Sequence, residues 1–133
     1  MNITFVKVLF VVAAIYDGLI GVTGLLFPGL AFEVFAVTPP NHFGYVQFPA
    51  ALLLVFAAMF YRVARDPISN RFLMLYGIAL KAAYSGIVFY YMVATGIPTM
   101  WVPWAWVDLA FLVLFYMSWL YTRQFAIRGA TTP

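Results

Sequence analysis

The sequence predicts an all-α fold: an integral membrane four-helix bundle with both termini in the cytoplasm. Three observations carry this. First, 66% of the 133 residues are apolar and 8% are charged, against about 25% charged in a soluble domain. A domain of this size still leaves roughly 30% of its chain surface in water, and this composition lacks the polar groups to cover it. Second, the apolar residues fall into four stretches near the ~20 residues that a spanning helix needs. Third, Lys and Arg outside those stretches all fall on one side of them. Disorder is excluded, because it requires low hydrophobicity and high charge. A membrane β-barrel is excluded because runs such as Ala50 to Phe60 are apolar on every side instead of alternating. In lipid the backbone must then pair within each segment, as in a helix.

The spans are expected at 5–27, 46–61, 72–94 and 101–121, in one transmembrane domain covering residues 1–133. Pro28-Gly29 closes the first. Lys7 ahead of an apolar run resembles a signal peptide, but the run continues to Phe27 with Asp17 in its middle, so it reads as a retained helix. Leu30, Phe32, Val34, Phe35 and Val37 make the 28–45 segment apolar, with Glu33 alone charged. It is expected to lie in the outer interface as a short helix or turn followed by a rigid Thr38-Pro39-Pro40-Asn41 bend. Pro49 is placed in the first turn of the second span, where a missing N–H costs little. Asp66-Pro67 reads as an N-cap followed by proline at the first helical position. Thr95-Gly96-Ile97-Pro98 ends the third span. Pro103 begins the fourth beside Trp101, Trp104 and Trp106, an aromatic belt. Gly129 to Pro133 read as loose.

Charge sets the orientation. Lys7, Arg62, Arg65, Arg71, Arg123 and Arg128 flank the spans on one side, while 28–45 and 95–100 contain no Lys or Arg. The positive-inside rule puts both termini in the cytoplasm, in an inner membrane if the chain is bacterial. There is no basic run for nucleic acid, no cysteine and one histidine. Neither a metal nor a cofactor is therefore expected.

Asp17, Lys81 and Asp108 fall inside spans, where a charge costs about 2.5–3.5 kcal/mol even on lenient scales. At 1.5 Å per residue, Asp17 lies ~18 Å, Lys81 ~14 Å and Asp108 ~20 Å from the basic side. Gln47 and Tyr84 fall at ~21 Å and ~18 Å. Each helix thus brings polarity to one layer, and the expectation is a buried cluster. Lys81 lies between Asp17 and Asp108, with Gln47 and Tyr84 completing the hydrogen bonds. Two carboxylates around one ammonium leave a formal charge of −1. Either a carboxyl holds a proton, or a cation, water or ligand sits there. The plainer alternative is that the cluster only joins helices. Ala14, Gly18, Gly21 and Gly24 put small residues on one side of the first helix, as in close helix contacts, and Gly77 reads the same way. The many Phe and Tyr side chains suit either a lipid-facing surface or the lining of an apolar cavity.

The stretch Val63-Ala64-Arg65-Asp66-Pro67, then Asn70-Arg71, Lys81 and Asp108 resembles small bacterial four-helix membrane proteins, broadly the DoxX-like group and related four-span families. The resemblance covers most of the chain and implies the four-helix plan. A carboxylate midway along the first helix among Ala14, Gly18 and Gly21 is also similar to the small multidrug resistance exporters. The longer loops, Lys81 and the one-sided charge depart from them.

No phosphate loop, HExxH, GxSxG or nucleotide fingerprint is present. The first functional expectation is therefore non-enzymatic: an accessory subunit of a membrane complex, or a binder of a lipid-like, hydrophobic small molecule. Asp17, Lys81, Asp108, Gln47 and Tyr84 are the candidate ligand, proton or ion residues. Expected partners are the lipid bilayer, other membrane subunits or a homodimer mate. The second expectation is a small proton- or ion-coupled transporter acting as a homodimer. The third is an intramembrane lipid-modifying enzyme with Asp108 as acid and base.

Overall fold

The computed structural model describes residues 1–130, with side chains described through Phe125. The described residues are helical with no strand: α1 (Ile3–Leu26), the short α2 (Leu30–Val34), α3 (Gly44–Arg65), α4 (Leu73–Ala94), a 3₁₀ turn (Thr99–Trp101) and α5 (Val102–Ala130). Four of these helices are long and apolar enough to cross a membrane. Large apolar side chains point outward along all of them, from Leu19 at 65% exposure to Val93 at 83%. A water-soluble monomer does not display apolar surface on that scale.

The helix ends follow local chemistry. Asn2 caps α1, its Oδ1 accepting from the Phe5 N–H at 2.8 Å. Phe27 closes α1 just before Pro28, through its N–H to the Thr23 carbonyl. α2 occupies the stretch expected to hold a short helix or turn. The chain turns after α2 at Ala36, whose φ of 51° is the one positive value at a non-glycine residue described. His42 Nδ1 accepts the Gly44 N–H at 2.9 Å, so this loop histidine secures the start of α3. Gly96, at φ 82°, takes the left-handed conformation that ends α4, a conformation favouring glycine.

Some boundaries differ from those read in the sequence. α3 begins at Gly44 and ends at Arg65, so Pro49 lies inside the helix beyond its first turn. Asp66 closes α3, and the chain then makes a turn before α4 begins at Leu73. Asp66 still caps, but it caps the turn: its Oδ1 accepts the Ser69 N–H at 3.1 Å. Hydrogen bonding from Ser69, through its side chain first and then its backbone, holds this carboxyl below the usual range. α5 continues past Tyr121 through Ala130, so Gly129 and Ala130 are helical rather than loose. Residues 131–133 of the expected loose tail lie outside the described residues. Hydropathy marks where a helix is apolar, whereas backbone hydrogen bonding carries it on through good helix formers such as Arg123 and Gln124.

α1 packs closely along α3, and α4 along α5. The first pairing depends on missing side chains. A Cβ on Gly21 would lie 2.9 Å from the Ala50 carbonyl oxygen and 2.9 Å from Leu54 Cδ2, and one on Gly24 would lie 2.9 Å from Ala50 Cβ. Lipid tails are as apolar as leucine, so close van der Waals contact is what holds helices together in a bilayer. Gly21→Ala is expected to force α1 off α3 and lower stability by about 1–3 kcal/mol. Gly18→Ala, with Ala57 Cβ at an ordinary 3.8 Å, serves as the mild control in the same unfolding titration.

The two helix pairs meet across a thick aromatic layer. Phe10 of α1 stacks on Phe115 of α5 with centroids 4.4 Å apart. Phe60 of α3 meets Phe115 edge-on at 5.1 Å. Val6, Leu9, Ala13, Val63, Ala64, Met74 and Phe111 complete this core. Gly77 makes room for it, since a Cβ there would meet Phe60 at 2.6 Å and Phe115 at 3.2 Å. The core fills the half of the bundle nearest the basic end, where α1 and α4 begin and α3 and α5 finish. At that end the Arg71 guanidinium lies 4.2 Å over the Trp119 ring, and its Nε donates to the Trp119 carbonyl at 3.0 Å. Arg128 carries no described side chain.

Candidate functional site

Immediately beyond the aromatic core lies a charged cluster built from three helices. Lys81 of α4 sends its ammonium between two carboxylates. Nζ donates to Asp17 Oδ1 at 2.6 Å and lies 2.9 Å from Asp108 Oδ1. Asp17 and Lys81 are each 1% exposed and Asp108 6%. Burial of this depth requires pairing, because an isolated charge in an apolar interior is prohibitively expensive. The short Lys81–Asp17 contact is charge-assisted, the stronger class of hydrogen bond. The Asp108 contact is electrostatic, and its geometry does not make a hydrogen bond.

Aromatic faces close the rest of the sphere. Lys81 Nζ lies 5.0 Å from the Tyr16 ring centroid, 5.4 Å from Phe111 and 5.9 Å from Phe60. At these distances ring quadrupoles attract a cation. The ammonium, carried by α4, therefore sits in a cage of two acids and three rings contributed by the other three long helices. The positions follow from helix spacing. Phe111 lies three residues after Asp108 on α5, and Tyr16 directly precedes Asp17. Gly77, one turn before Lys81, leaves space for Phe60 to approach.

Polarity remains unspent. Asp17 Oδ2 and Asp108 Oδ1 are buried without a hydrogen-bond partner. With one ammonium and two carboxylates, the cluster carries a formal charge of −1 unless a proton joins it. Asp108 is the member with measurable contact to the outside, its side chain 8% exposed. The core of Phe10, Phe60, Phe111 and Phe115 separates the cluster from the basic end. Neither the groove lined by Met59, Arg62 and Arg65 nor the one lined by Val55, Phe56 and Tyr76 touches Asp17, Lys81 or Asp108.

No family model, curated protein or solved structure matches this chain.

Asp17, Lys81 and Asp108 meet, as expected from their depths. Gln47 and Tyr84 do not make the expected hydrogen bonds to that cluster. Gln47 Nε2 donates to the Leu25 carbonyl at the far end of α1, at 3.1 Å. Tyr84 donates its hydroxyl to the Trp101 carbonyl at 3.0 Å. For Gln47 the cause is the helix boundary: α3 runs to Arg65, four residues past Tyr61, which carries Gln47 ~6 Å farther from the basic end. Both residues stitch the half of the bundle away from the basic end instead. Ser85 helps there, donating to the Ala105 carbonyl at 3.0 Å from the turn after Lys81. The residues absent from the sequence reading are the cage rings Tyr16, Phe60 and Phe111. Nothing in the sequence distinguishes them among 14 Phe and 9 Tyr.

Proposed function

We propose that this chain is a small, non-enzymatic integral membrane protein that works by binding a lipid-like molecule or a membrane partner. In this reading the Asp17–Lys81–Asp108 cluster fixes the bundle and is not a reaction centre. The observation that carries the reading is the closure of the cage. The Lys81 ammonium is covered by two carboxylates and three rings, and the described grooves lie elsewhere. An intramembrane enzyme needs a substrate atom within hydrogen-bond reach of its acid or base, and neither described groove reaches Asp17 or Asp108. Orientation with the basic end in the cytoplasm, as in a bacterial inner membrane, follows from Lys7, Arg62, Arg65, Arg71 and Arg123. The four-helix plan, with Arg65-Asp66-Pro67, Lys81 and Asp108 in place, supports setting the chain beside the DoxX-like proteins it resembles.

Native mass spectrometry after extraction in a mild detergent tests the reading. The expected result is a protein peak carrying a retained lipid or a partner subunit. A bare monomer under the gentlest conditions would contradict it.

One observation favours a second reading, a proton-coupled transporter. The cluster has an unbalanced negative charge and an orphaned Asp17 Oδ2, and Asp108 touches the exterior. That reading requires proton flux in proteoliposomes that disappears in Asp108→Asn. Flux unchanged in both Asp17→Asn and Asp108→Asn excludes it.

A further inference from the structure

We infer that the seam between α3 and α4 at the basic end is a binding site for one anionic phospholipid. This deepens the binding reading by naming a ligand class and its place, and it rests on that reading. Two grooves run along the seam and share Met59. The upper one, about 640 Å³, is lined by Ala58, Met59, Tyr61, Arg62, Arg65, Asn70 and Leu73. The lower one, about 170 Å³, is lined by Val55, Phe56, Met59 and Tyr76 and presents only apolar surface. From Val55 to Arg65 the seam spans ~15 Å along the helix axis. It exists because α3 and α4 adjoin each other far less closely than the α1–α3 and α4–α5 pairs.

The chemistry of the seam is that of an amphiphile laid parallel to the helices. Two guanidinium groups stand at the top, and neither meets a carboxylate among the described residues, where the ion pairs are those of Lys81. Arg62 is steadied by Nε donating to Asn70 Oδ1 at 3.2 Å, and Arg65 by Nη1 donating to the Tyr61 hydroxyl at 3.4 Å. Those bonds hold both side chains by the groove and leave further guanidinium N–H groups for a phosphate, which arginine binds with directed hydrogen bonds. Beneath them Met59, a side chain that adapts to irregular shapes, leads into a groove whose facing surface is apolar, the Tyr76 ring included, so an acyl chain desolvates no polar group there. A zwitterionic headgroup offers the same phosphate but cancels its charge, so the charge match selects an anionic lipid.

The test is native mass spectrometry of the protein from micelles containing equal phosphatidylglycerol and phosphatidylcholine. Wild type is expected to retain one phosphatidylglycerol per chain. Arg62→Gln/Arg65→Gln is expected to weaken that retention roughly 10–30-fold, the worth of two arginines near a membrane surface. Met59→Trp, which fills the shared groove and leaves the arginines, is also expected to release the lipid. Arg123→Gln, at the same end but outside the seam, is expected to leave it bound. Glycerol phosphate is expected not to displace it, because a headgroup alone has no chain for the lower groove. The inference is overturned if the double arginine variant keeps the wild-type preference, if Arg123→Gln costs as much, or if glycerol phosphate competes. In each of those cases lipid still bound elsewhere leaves the binding reading standing, whereas wild type carrying neither lipid nor partner removes both.

Discussion

Lys81→Met is expected to destabilise the folded bundle by about 3–5 kcal/mol, the cost of removing one partner from a buried ion pair. The substitution shortens the side chain by one heavy atom and keeps most of its volume, so the loss is mainly electrostatic. Asp17 and Asp108 would then face each other and three ring faces without a counter-charge. The remedy available to them is to take up protons or to open the bundle to water. The unfolding midpoint in a detergent titration measures the cost. A second variant separates charge from packing. Asp17→Asn combined with Lys81→Met removes the strongest pair as a unit, leaves Asp108 as the one carboxyl that must take up a proton, and is expected to recover part of the lost stability, as replacement of buried ion pairs by neutral groups does elsewhere. If both variants lose the same amount, packing around Lys81 and not its charge is what holds the helices.

Phe115→Ala is the second large effect. Phe115 is fully buried, stacked on Phe10 at 4.4 Å and in contact with Phe60 and Phe111 at 5.1 and 5.6 Å. In a water-soluble core such a truncation costs about 3–5 kcal/mol, part of it from transfer to water. Helices that separate within a bilayer expose their side chains to lipid, so the transfer share falls away and lost dispersion contacts remain. A loss of roughly 2 kcal/mol follows, smaller than that of Lys81→Met. The variant should also breach the layer that seals the cluster from the basic end. Faster hydrogen exchange at α4 amides around Lys81 is therefore expected, with Phe115→Leu intermediate in both measurements.

The parts of this molecule that the sequence made legible are those where a residue contradicts its surroundings. Asp17, Lys81 and Asp108 stand out because charge inside an apolar helix is costly, and helical rise alone brings them to one depth. Gly21 and Gly24 stand out because nothing but close approach explains such a run of small residues, although their partner Ala50 could not be read. The cage was illegible for the opposite reason. Tyr16, Phe60 and Phe111 conform to a membrane helix as well as any lipid-facing aromatic does, so their role appears only when three helices are set around Lys81. Gln47 was misplaced by one turn because hydropathy falls at Tyr61 while hydrogen bonding carries α3 on to Arg65. The α3–α4 seam was invisible, since Val55, Met59 and Arg62 form a stripe only against a helix that stays at a distance.

Native mass spectrometry of the triple variant Asp17→Asn/Lys81→Met/Asp108→Asn tests most directly the claim that the charged cluster fixes the bundle while function lies in binding elsewhere. The variant removes all buried charge at once and strands none of it. The account predicts a folded protein, at least as stable as Lys81→Met alone, that retains the same lipid or partner as wild type. A folded triple variant that has lost that ligand would contradict it and make the cluster itself the functional site.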